Sequence, residues 1–255
     1  MTNKISIVTT SWDDGHPCDI RIAAALAKRG LPGTFYVPLA NQEGRPVLDA
    51  AALQEFACQG FEIGAHTVSH RVLYGLSNQD LSNEVLGSKQ MLEQQLGKEV
   101  RMFCYPRGRY DSRIIRCVQQ SGFSGARTTR MLAQSLAFHR YEMPVTLQAF
   151  PHPPLNFIKN LGKRRDIAGM SRYFKDYLRC ASWVEMGKKL FREVLDQGGI
   201  WHLYGHSWEV EEFGLWEQLD ELLNYVSNQP GVLYAGNSQV LDLVSGQTTA
   251  VADAA

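Results

Sequence analysis

Short apolar runs alternate along this chain with longer segments in which apolar residues recur every three or four positions. The short runs predict strands, and the periodic segments predict helices. The predicted strands cover residues 5–10, 33–37, 61–65, 102–105, 123–127, 199–204 and 232–235. The predicted helices cover residues 19–28, 49–59, 79–96, 111–121, 182–197, 215–228 and 238–244. Capping residues such as Asp49 and Ser182, together with closing glycines, set most helix ends.

This alternation indicates an α/β fold, because parallel strands need helical crossovers of about this length. Seven or eight repeats favour an irregular (β/α) barrel of mostly parallel strands over an open sheet. We assign residues 1–246 of the 255 to one barrel domain and expect residues 247–255, which are small and polar, to form a flexible tail. A nucleotide-binding fold lacks its main support, because no G-x-G-x-x-G or G-x-x-x-x-G-K-[ST] sequence follows a predicted strand.

Residues 145–181 interrupt the alternation. The prolines at 151–154 exclude a helix from the first part of this segment. The second part is rich in aromatic and basic residues and includes the run Lys163-Arg164-Arg165. We favour a helical insertion that packs on the flank of the barrel. The alternative is a lid, or a contact for a lipid-linked or phosphorylated substrate, because basic and aromatic helices suit interfaces.

The charge balance and the cysteines indicate which partners and which cellular compartment to expect. The chain has 26 basic and 26 acidic residues, so we expect no nucleic-acid partner. The N-terminal residues lack the apolar core of a signal peptide, and no apolar run is long enough for a transmembrane segment. Five scattered cysteines without a C-x-x-C pair fit a reducing compartment. We therefore expect a cytoplasmic protein, with a peripheral position at the inner membrane surface as an alternative.

The first chemically informative residues are Asp13 and Asp14, which follow the first predicted strand. Neighbouring carboxylates repel each other, so the pKa of one must rise unless a cation or a proton separates them. Asp-Asp-Gly is also ordinary turn chemistry, and solvated acids cost little there. On these residues alone, a solvated turn is the better interpretation.

Polar clusters also follow other predicted strands. His66 and His70 lie four residues apart after the third strand, and this spacing lets one turn of chain present both imidazoles to a metal ion. Residues 103–111 and His206 mark two further strand ends. Because the carboxyl ends of parallel strands converge on one face of a barrel, we expect these clusters to meet. One aspartate and two histidines would form an open metal site with room for water and substrate.

These motifs, in this order and over most of the chain, resemble those of the polysaccharide deacetylase family, also called carbohydrate esterase family 4. The resemblance implies an irregular α/β barrel, in agreement with the repeat count. The T-x-D-D-G motif implies that Asp13 is the catalytic base and Asp14 a metal ligand. The H-[ST]-x-x-H motif implies that His66 and His70 complete the metal site. The closing motif implies that His206 is the general acid.

The sequence departs from the family pattern in two places. Many members carry R-x-P-[YF] in the third motif, whereas here Cys104 replaces the arginine and Arg107 replaces the aromatic residue. Ser207 follows His206 where many members have an aspartate. These changes alter the groove wall, although the backbone N–H of Arg107 could still serve an oxyanion hole. We interpret Cys104 as a small apolar residue at a strand end rather than as a nucleophile.

Other residues of these motifs have expected places in the site or outside it. The expected substrate or oxyanion contacts are Arg107, Pro106, Tyr110 and Trp208. The remaining histidines are interpreted as ordinary loop or core residues, namely His16, His139 and His152 in loops and His202 in the barrel interior.

The resemblance implies metal-assisted removal of an N-acetyl group from an acetamido sugar. We expect the sugar to be a precursor of a cell-surface glycan, with a nucleotide- or lipid-linked carrier left open. Zinc is the expected divalent ion, and cobalt and nickel suit the same donors. The alternatives are a deformylase or other small-amide hydrolase on the same site, and a non-catalytic carbohydrate-binding protein. Retention of Asp13 argues against the last, since binding alone needs no base. A homo-oligomer is left open.

Overall fold

Eight strands form the centre of the molecule. The computed structural model describes residues 4–163 and 166–252. Within these residues, every strand pairing is parallel. The strands are β1 (Ser6–Asp13), β2 (Thr34–Val37), β3 (Glu62–Ala65), β4 (Met102–Cys104), β5 (Gly125–Arg127), β6 (Leu147–Gln148), β7 (Gly199–His206) and β8 (Val232–Tyr234). All but β6 were predicted from the apolar pattern, and β6 is only two residues long.

The strand order is β5-β4-β3-β2-β1-β7-β6, with β8 paired beside β1. β1 is buried along its whole length and is the central strand. β7 pairs with all of β1, β8 pairs with its first residues, and β2 pairs with its last residues. A strand buried in this way must be almost continuously apolar or hydrogen-bonded, which explains why its apolar run was easy to identify.

The two ends of the sheet meet through the segment before β6. Met143 forms a parallel bridge with Arg127 at the end of β5. Three residues later, Thr146 donates its backbone N–H to the carbonyl of His202 in β7, at 2.9 Å. The sheet therefore closes into a ring, and the predicted irregular (β/α) barrel is confirmed.

The helices surround this ring. They are α1 (Asp19–Ala27), α2 (Ala50–Cys58), α3 (Asn78–Leu96), α4 (Ser112–Gln120), α5 (Pro154–Lys163), α6 (Ile167–Arg172), α7 (Trp183–Gln197), α8 (Ser207–Glu212), α9 (Trp216–Val226) and α10 (Asn237–Ala252). All seven predicted helices are present within this set. The capping prediction holds in detail, because Asp49 and Ser182 each accept a hydrogen bond from the backbone N–H three residues on. Gly97 ends α3 in the left-handed conformation, with φ 66°.

The insertion at residues 145–181 is helical over most of its length, but it begins with a strand, β6. It continues with α5, α6 and a π-helical turn, Tyr173–Tyr177. Phe157 of α5 is buried and stacks on the ring of Tyr173, with 5.3 Å between centroids. These aromatic residues anchor the insertion to the core. Arg164 and Arg165 of the predicted basic run lie outside the described residues.

The final helix is longer than predicted. α10 runs from Asn237 to Ala252, whereas the sequence pattern indicated residues 238–244. The boundary at residue 246 and the flexible tail stay predictions, although the helix continues through residues 247–252, and residues 253–255 lie outside the described part. None of the helices in the described ranges combines the length and the apolar character that a membrane span needs.

The register of the strands decides which polar side chains meet. Asp13, at the end of β1, is paired with His206 at the end of β7. At the end of β4, Cys104 is paired with Arg127 of β5. The ring brings these strand ends to the same face, which is where (β/α) barrels build their sites.

Candidate active site

Asp13 and Asp14 form the turn that ends β1, and they are only 3% and 4% exposed. Asp14 has a φ of 76°, and Gly15 follows with a φ of 58°. A Cβ at position 15 would lie 2.7 Å from Cγ1 of Val37, so the close approach of β2 requires glycine. The interpretation of a solvated turn is therefore wrong. The two buried carboxylates have different partners.

Asp14 belongs to a cluster with His66 and His70. Its Oδ1 atom lies 3.6 Å from Nε2 of His66 and 3.1 Å from Nε2 of His70. These separations bracket the roughly 3.3 Å that divides two ligands of a tetrahedral zinc ion with bonds of about 2.0–2.1 Å. Oδ1 of Asp14 is buried and has no hydrogen-bond partner of good geometry. The three residues therefore fit a divalent metal ion.

The residues behind this triad fix its orientation. Nδ1 of His66 lies 2.8 Å from the carbonyl of Cys104, which assigns the proton to Nδ1 and leaves Nε2 free as a ligand. Trp208 donates its Nε1–H to Oδ2 of Asp14 at 2.9 Å. Glu84 of α3 accepts the backbone N–H groups of the loop between the two histidines, each at 3.0 Å. This loop has no regular secondary structure, so side-chain bonds hold it in place.

The protonation states of Asp14 and His66 suit metal binding, and His70 must give up a proton to become a ligand. Burial lowers the pKa of His66 to about 4, which keeps its imidazole neutral. Burial alone would raise the pKa of Asp14, but the close imidazole of His70 and the neighbouring histidines lower it. Burial likewise disfavours the charged form of His70, and contact with Asp14 outweighs it, so the pKa of His70 is raised. The carboxylate of Asp14 and the neutral imidazole of His66 are thus available as ligands, and a metal ion would displace the proton that Asp14 holds on His70.

Asp13 pairs with Arg127 instead. The guanidinium of Arg127 forms an ion pair with Oδ1 of Asp13, and both side chains are buried. Burial alone would raise the pKa of Asp13, but the charge of Arg127 and the nearby histidines lower it. The rings of Tyr36 and Tyr204 flank the guanidinium at 5.0 and 4.9 Å from their centroids. Asp13, His66 and Cys104 are also close enough together to hold a metal ion. Because the carboxylate of Asp13 is already paired with Arg127, the group with Asp14 is the better metal site.

Arg127 was missed by the sequence analysis. It lies at the end of β5, one strand after the third motif, and the pairing of β4 with β5 places it opposite Cys104. Sγ of Cys104 lies 3.8 Å from Oδ2 of Asp13, and burial raises the pKa of this thiol well above its usual range. An arginine at the end of a buried strand was the available signal, because buried arginines are almost always paired.

His206 lies beside Asp13 and carries its own carboxylate. Its Nε2 atom is 3.9 Å from Oδ2 of Asp13, and its Nδ1 atom is 2.7 Å from Oε2 of Glu209. Burial lowers the pKa of His206, but the bond to Glu209 and the charges of Asp14, Glu209 and Asp13 raise it to about 9. Glu209 was not singled out from the sequence. It lies three residues after His206, in α8. Ser207, the residue next to His206, is buried, and its hydroxyl has no hydrogen-bond partner.

A cleft of about 390 Å³ opens over these groups. Its other lining residues are Glu43, Arg107, Thr129, Met131, Gln148, His152, Asn156, Asn160, Tyr204 and Trp208. Gln148, His152, Asn156 and Asn160 belong to the insertion, so the insertion forms a wall of the cleft and is not confined to the flank of the barrel. His152 lies in a loop as predicted, and its ring bonds Gln148 at 2.6 Å and Asn156 at 3.1 Å.

The predicted substrate residues have different positions. Arg107 lines the cleft with a φ of 56°, and its guanidinium bonds Glu43 at 2.6 Å. Trp208 lines it too, with the guanidinium of Arg45 3.4 Å from its ring centroid. Pro106 is buried and does not line the cleft. Tyr110 is directed elsewhere, because it stacks on Tyr105 and donates to Glu142 at 2.9 Å.

The remaining histidines lie outside this cluster. His202 is buried in the barrel, where Nε2 lies 2.8 Å from Oγ of Ser11, and burial lowers its pKa to about 3. This confirms its predicted place in the interior. Nδ1 of His16 accepts the backbone N–H of Cys18, and His139 lies in a loop near Glu142.

Comparison with known proteins finds similarity to one family in the first half of the chain. Residues 1–126 match the family model described as polysaccharide deacetylase. The match includes the aspartate pair and both histidines of the triad and ends one residue before Arg127. YxkH of Bacillus subtilis, which carries the family's name, is 26% identical over 129 residues, 50% of this chain and 46% of that protein. The peptidoglycan-N-acetylglucosamine deacetylase of Bacillus cereus is 25% identical over 125 residues, 48% of this chain and 56% of that protein.

The chain thus spans about half the length of the curated relatives that it matches. A crystal structure from Mycobacterium smegmatis, classed with the polysaccharide deacetylases, has a TM-score of 0.70 at 18% identity. The similarity covers 96% of this chain and 92% of that one. At this level of identity, the similarity shows a shared barrel fold.

Proposed function

We propose that this chain, whose residues 1–126 match the polysaccharide deacetylase family model, is a metal-dependent hydrolase that removes an N-acetyl group from an acetamido sugar. One observation carries the proposal: the two adjacent aspartates have separate partners. Asp14 lies against two histidines in metal-ligand geometry, and Asp13 lies against Arg127 and His206. A pair that only made a turn would need neither arrangement.

Asp14, His66 and His70 are the residues that would hold the ion. Zinc suits this donor set, as do cobalt and nickel. A divalent ion there would supply Lewis acidity and would lower the pKa of a water molecule towards neutrality. The hydrogen bond of His66 to Cys104 and that of Trp208 to Asp14 keep two of the three ligands in place.

Asp13 is the general base of the proposal. Arg127 keeps its carboxylate ionised inside the barrel, where an unpaired charge would be strongly disfavoured. Oδ2 of Asp13 is not the oxygen paired with Arg127, and it faces His206. This oxygen can accept a proton from the attacking water, a role that is typically worth about 10²–10⁴-fold in rate.

His206 is the general acid. Its Nδ1–H donates to Glu209, and in the imidazolium form its Nε2–H faces Asp13 and the cleft. Because the pKa of His206 is raised to about 9, the imidazolium is present at neutral pH. It can therefore protonate the leaving amine as the C–N bond breaks.

Arg107 is the proposed oxyanion contact. Its positive φ turns the backbone at the cleft wall, and the salt bridge with Glu43 ties this turn to the opposite loop. A well-placed backbone N–H typically contributes about 2.7–4 kcal/mol to such a transition state.

The cleft suits a sugar unit, because its insertion wall is polar and is built from amide and imidazole side chains. We propose a precursor of a cell-surface glycan as the substrate, on a nucleotide or lipid carrier. The name of the Bacillus cereus relative supports an N-acetylglucosamine-containing substrate class. Exposed Ile167 and Phe174, at 82% and 47%, would suit a lipid carrier or the membrane surface.

Acetate release from a panel of nucleotide- and lipid-linked acetamido sugars tests this function. Zinc-loaded protein should release acetate, a chelator should abolish the release, and zinc or cobalt should restore it. Full activity in metal-free protein would contradict the metal site. Release of formate alone from formamido analogues would identify a deformylase. Sugar binding without any release would identify a carbohydrate-binding protein.

A further inference from the structure

The insertion is joined to His206 by a continuous series of hydrogen bonds. Asn156 lies 3.1 Å from Nδ1 of His152, and Nε2 of His152 lies 2.6 Å from Oε1 of Gln148. Nε2 of Gln148 donates to Oε2 of Glu209 at 2.8 Å. The same oxygen of Glu209 accepts from Nδ1 of His206 at 2.7 Å. Four bonds thus connect helix α5 with the residue proposed as general acid.

The direction of every bond follows from the groups at its ends. Oε1 of Gln148 can only accept, so Nε2 of His152 must carry the proton. Nδ1 of His152 is then an acceptor, which matches the amide N–H of Asn156. Burial lowers the pKa of His152, so the neutral tautomer that this arrangement needs is the favoured form. All donors in the series, from Asn156 to Gln148, therefore point towards the carboxylate of Glu209.

Gln148 is fixed from two further sides. It belongs to β6, where its backbone is paired with Tyr204 of β7, and it is 5% exposed. Its Oε1 atom also accepts the hydroxyl of Tyr204 at 2.6 Å. Because Oε1 of Gln148 accepts from both His152 and Tyr204, the orientation of the amide is fixed, and its Nε2 donates to Oε2 of Glu209. A rigid donor at that position holds the carboxylate where His206 needs it.

We propose that Gln148 and His152 are positioning residues for the general acid: they fix the carboxylate of Glu209 against Nδ1 of His206, so that the insertion belongs to the catalytic apparatus. This inference rests on the proposed function, because it gives His206 the role of acid. The proposal gives a role to His152 and to the insertion, which lies outside the family motifs. The charged or titratable groups that face His206 are Asp13 and Asp14 from the end of β1, Asp19 from α1, His152 from the insertion and Glu209 from α8.

Gln148→Met tests the proposal, because methionine keeps the shape of the side chain and removes both hydrogen-bonding atoms. We expect kcat to fall roughly tenfold or more, as on loss of an outer-shell partner, and KM to change little. The basic limb of the kcat profile should move to lower pH, because a released Glu209 no longer stabilises the imidazolium. His152→Phe should act in the same direction, and His139→Phe, a histidine outside the series, should leave kcat and its pH profile unchanged.

A second measurement does not depend on turnover. In zinc-loaded protein labelled with ¹⁵N-histidine, the His206 imidazole should titrate at lower pH in Gln148→Met than in the parent chain. An unchanged titration of His206 would overturn the proposal whether or not the protein is a deacetylase. Unchanged kinetics in Gln148→Met and His152→Phe would also overturn it while leaving the deacetylase function standing. Failure of the parent chain to release acetate would instead count against the proposed function alone.

Discussion

Arg127 of β5 forms a buried ion pair with Asp13 of β1, and its register partner on β4 is Cys104. The sequence resemblance implies an arginine at position 104 in many members, and in this chain an arginine lies directly opposite that position on the neighbouring strand. Arg127 thus supplies a cation next to Asp13 in a chain that has cysteine at position 104. An account of this site has to explain Cys104 and Arg127 together.

Exchange of these two residues tests the relationship. Arg127→Met should lower kcat by about 10²-fold, because Asp13 loses the group that orients it. It should also destabilise the fold by about 3–5 kcal/mol, since a buried carboxylate is left unpaired. The double variant C104R/R127C should recover at least part of both losses, as measured by acetate release and chemical denaturation. Arg113→Met, which removes a surface arginine of α4, is the matched control. Equal losses in single and double variants would show that position 104 cannot replace position 127.

Glu209→Gln should change the pH dependence. The pKa of His206 is raised from 6.5 to about 9, and Glu209 is a main cause. The contribution of the His206–Glu209 pair to the free energy of unfolding is complete below about pH 6.5 and is lost as the pH rises through about 9. The variant should therefore lose activity at a lower pH than the parent chain and should be less stable near pH 7. A kcat profile with the same basic limb in both proteins would remove Glu209 as the partner of the acid.

His66→Ala and His70→Ala should lower the amount of bound metal. Each removes one of three ligands, and the neutral imidazole of His66 has no comparable replacement within the described residues. Metal content after dialysis against zinc, measured by elemental analysis, is the readout. His139→Ala should retain the parent's metal content. Stoichiometric metal in either triad variant would refute that ligand.

Trp208→Phe separates orientation from stacking. Phenylalanine retains an aromatic wall but cannot donate to Oδ2 of Asp14. If the indole N–H orients the ligand, metal affinity should fall by about 10–100-fold. If the ring serves only as a sugar platform, KM should rise or stay constant while metal affinity remains that of the parent chain. Competition with a metal indicator dye distinguishes these results.

The fold could be predicted from the sequence because its signals are local. Buried parallel strands are continuous apolar runs, and caps such as Asp49 and Ser182 mark helix starts. β6 was missed because two residues carry no periodic signal. α8 was missed because it directly follows β7 without a turn or capping side chain.

The site was predictable only in part. Asp14, His66 and His70 belong to short motifs, and their meeting follows from the barrel topology. Arg127 and Glu209 act through contacts that depend on register and helix geometry, which no motif in this sequence reports. The wall formed by the insertion depends on how α5 packs, and proline and aromatic content alone do not determine that. The positions of residues that are far apart in the sequence are seen only in the folded structure.

The central claim is that Asp13 and Asp14 divide the work, one as base and one as ligand. Parallel measurement of bound zinc and acetate release in Asp13→Asn and Asp14→Asn tests it most directly. Asp13→Asn should keep stoichiometric zinc and lose turnover by about 10²–10⁴-fold, whereas Asp14→Asn should lose both. If Asp13→Asn lost the metal, or turned over at the parent rate, the division of roles would be contradicted.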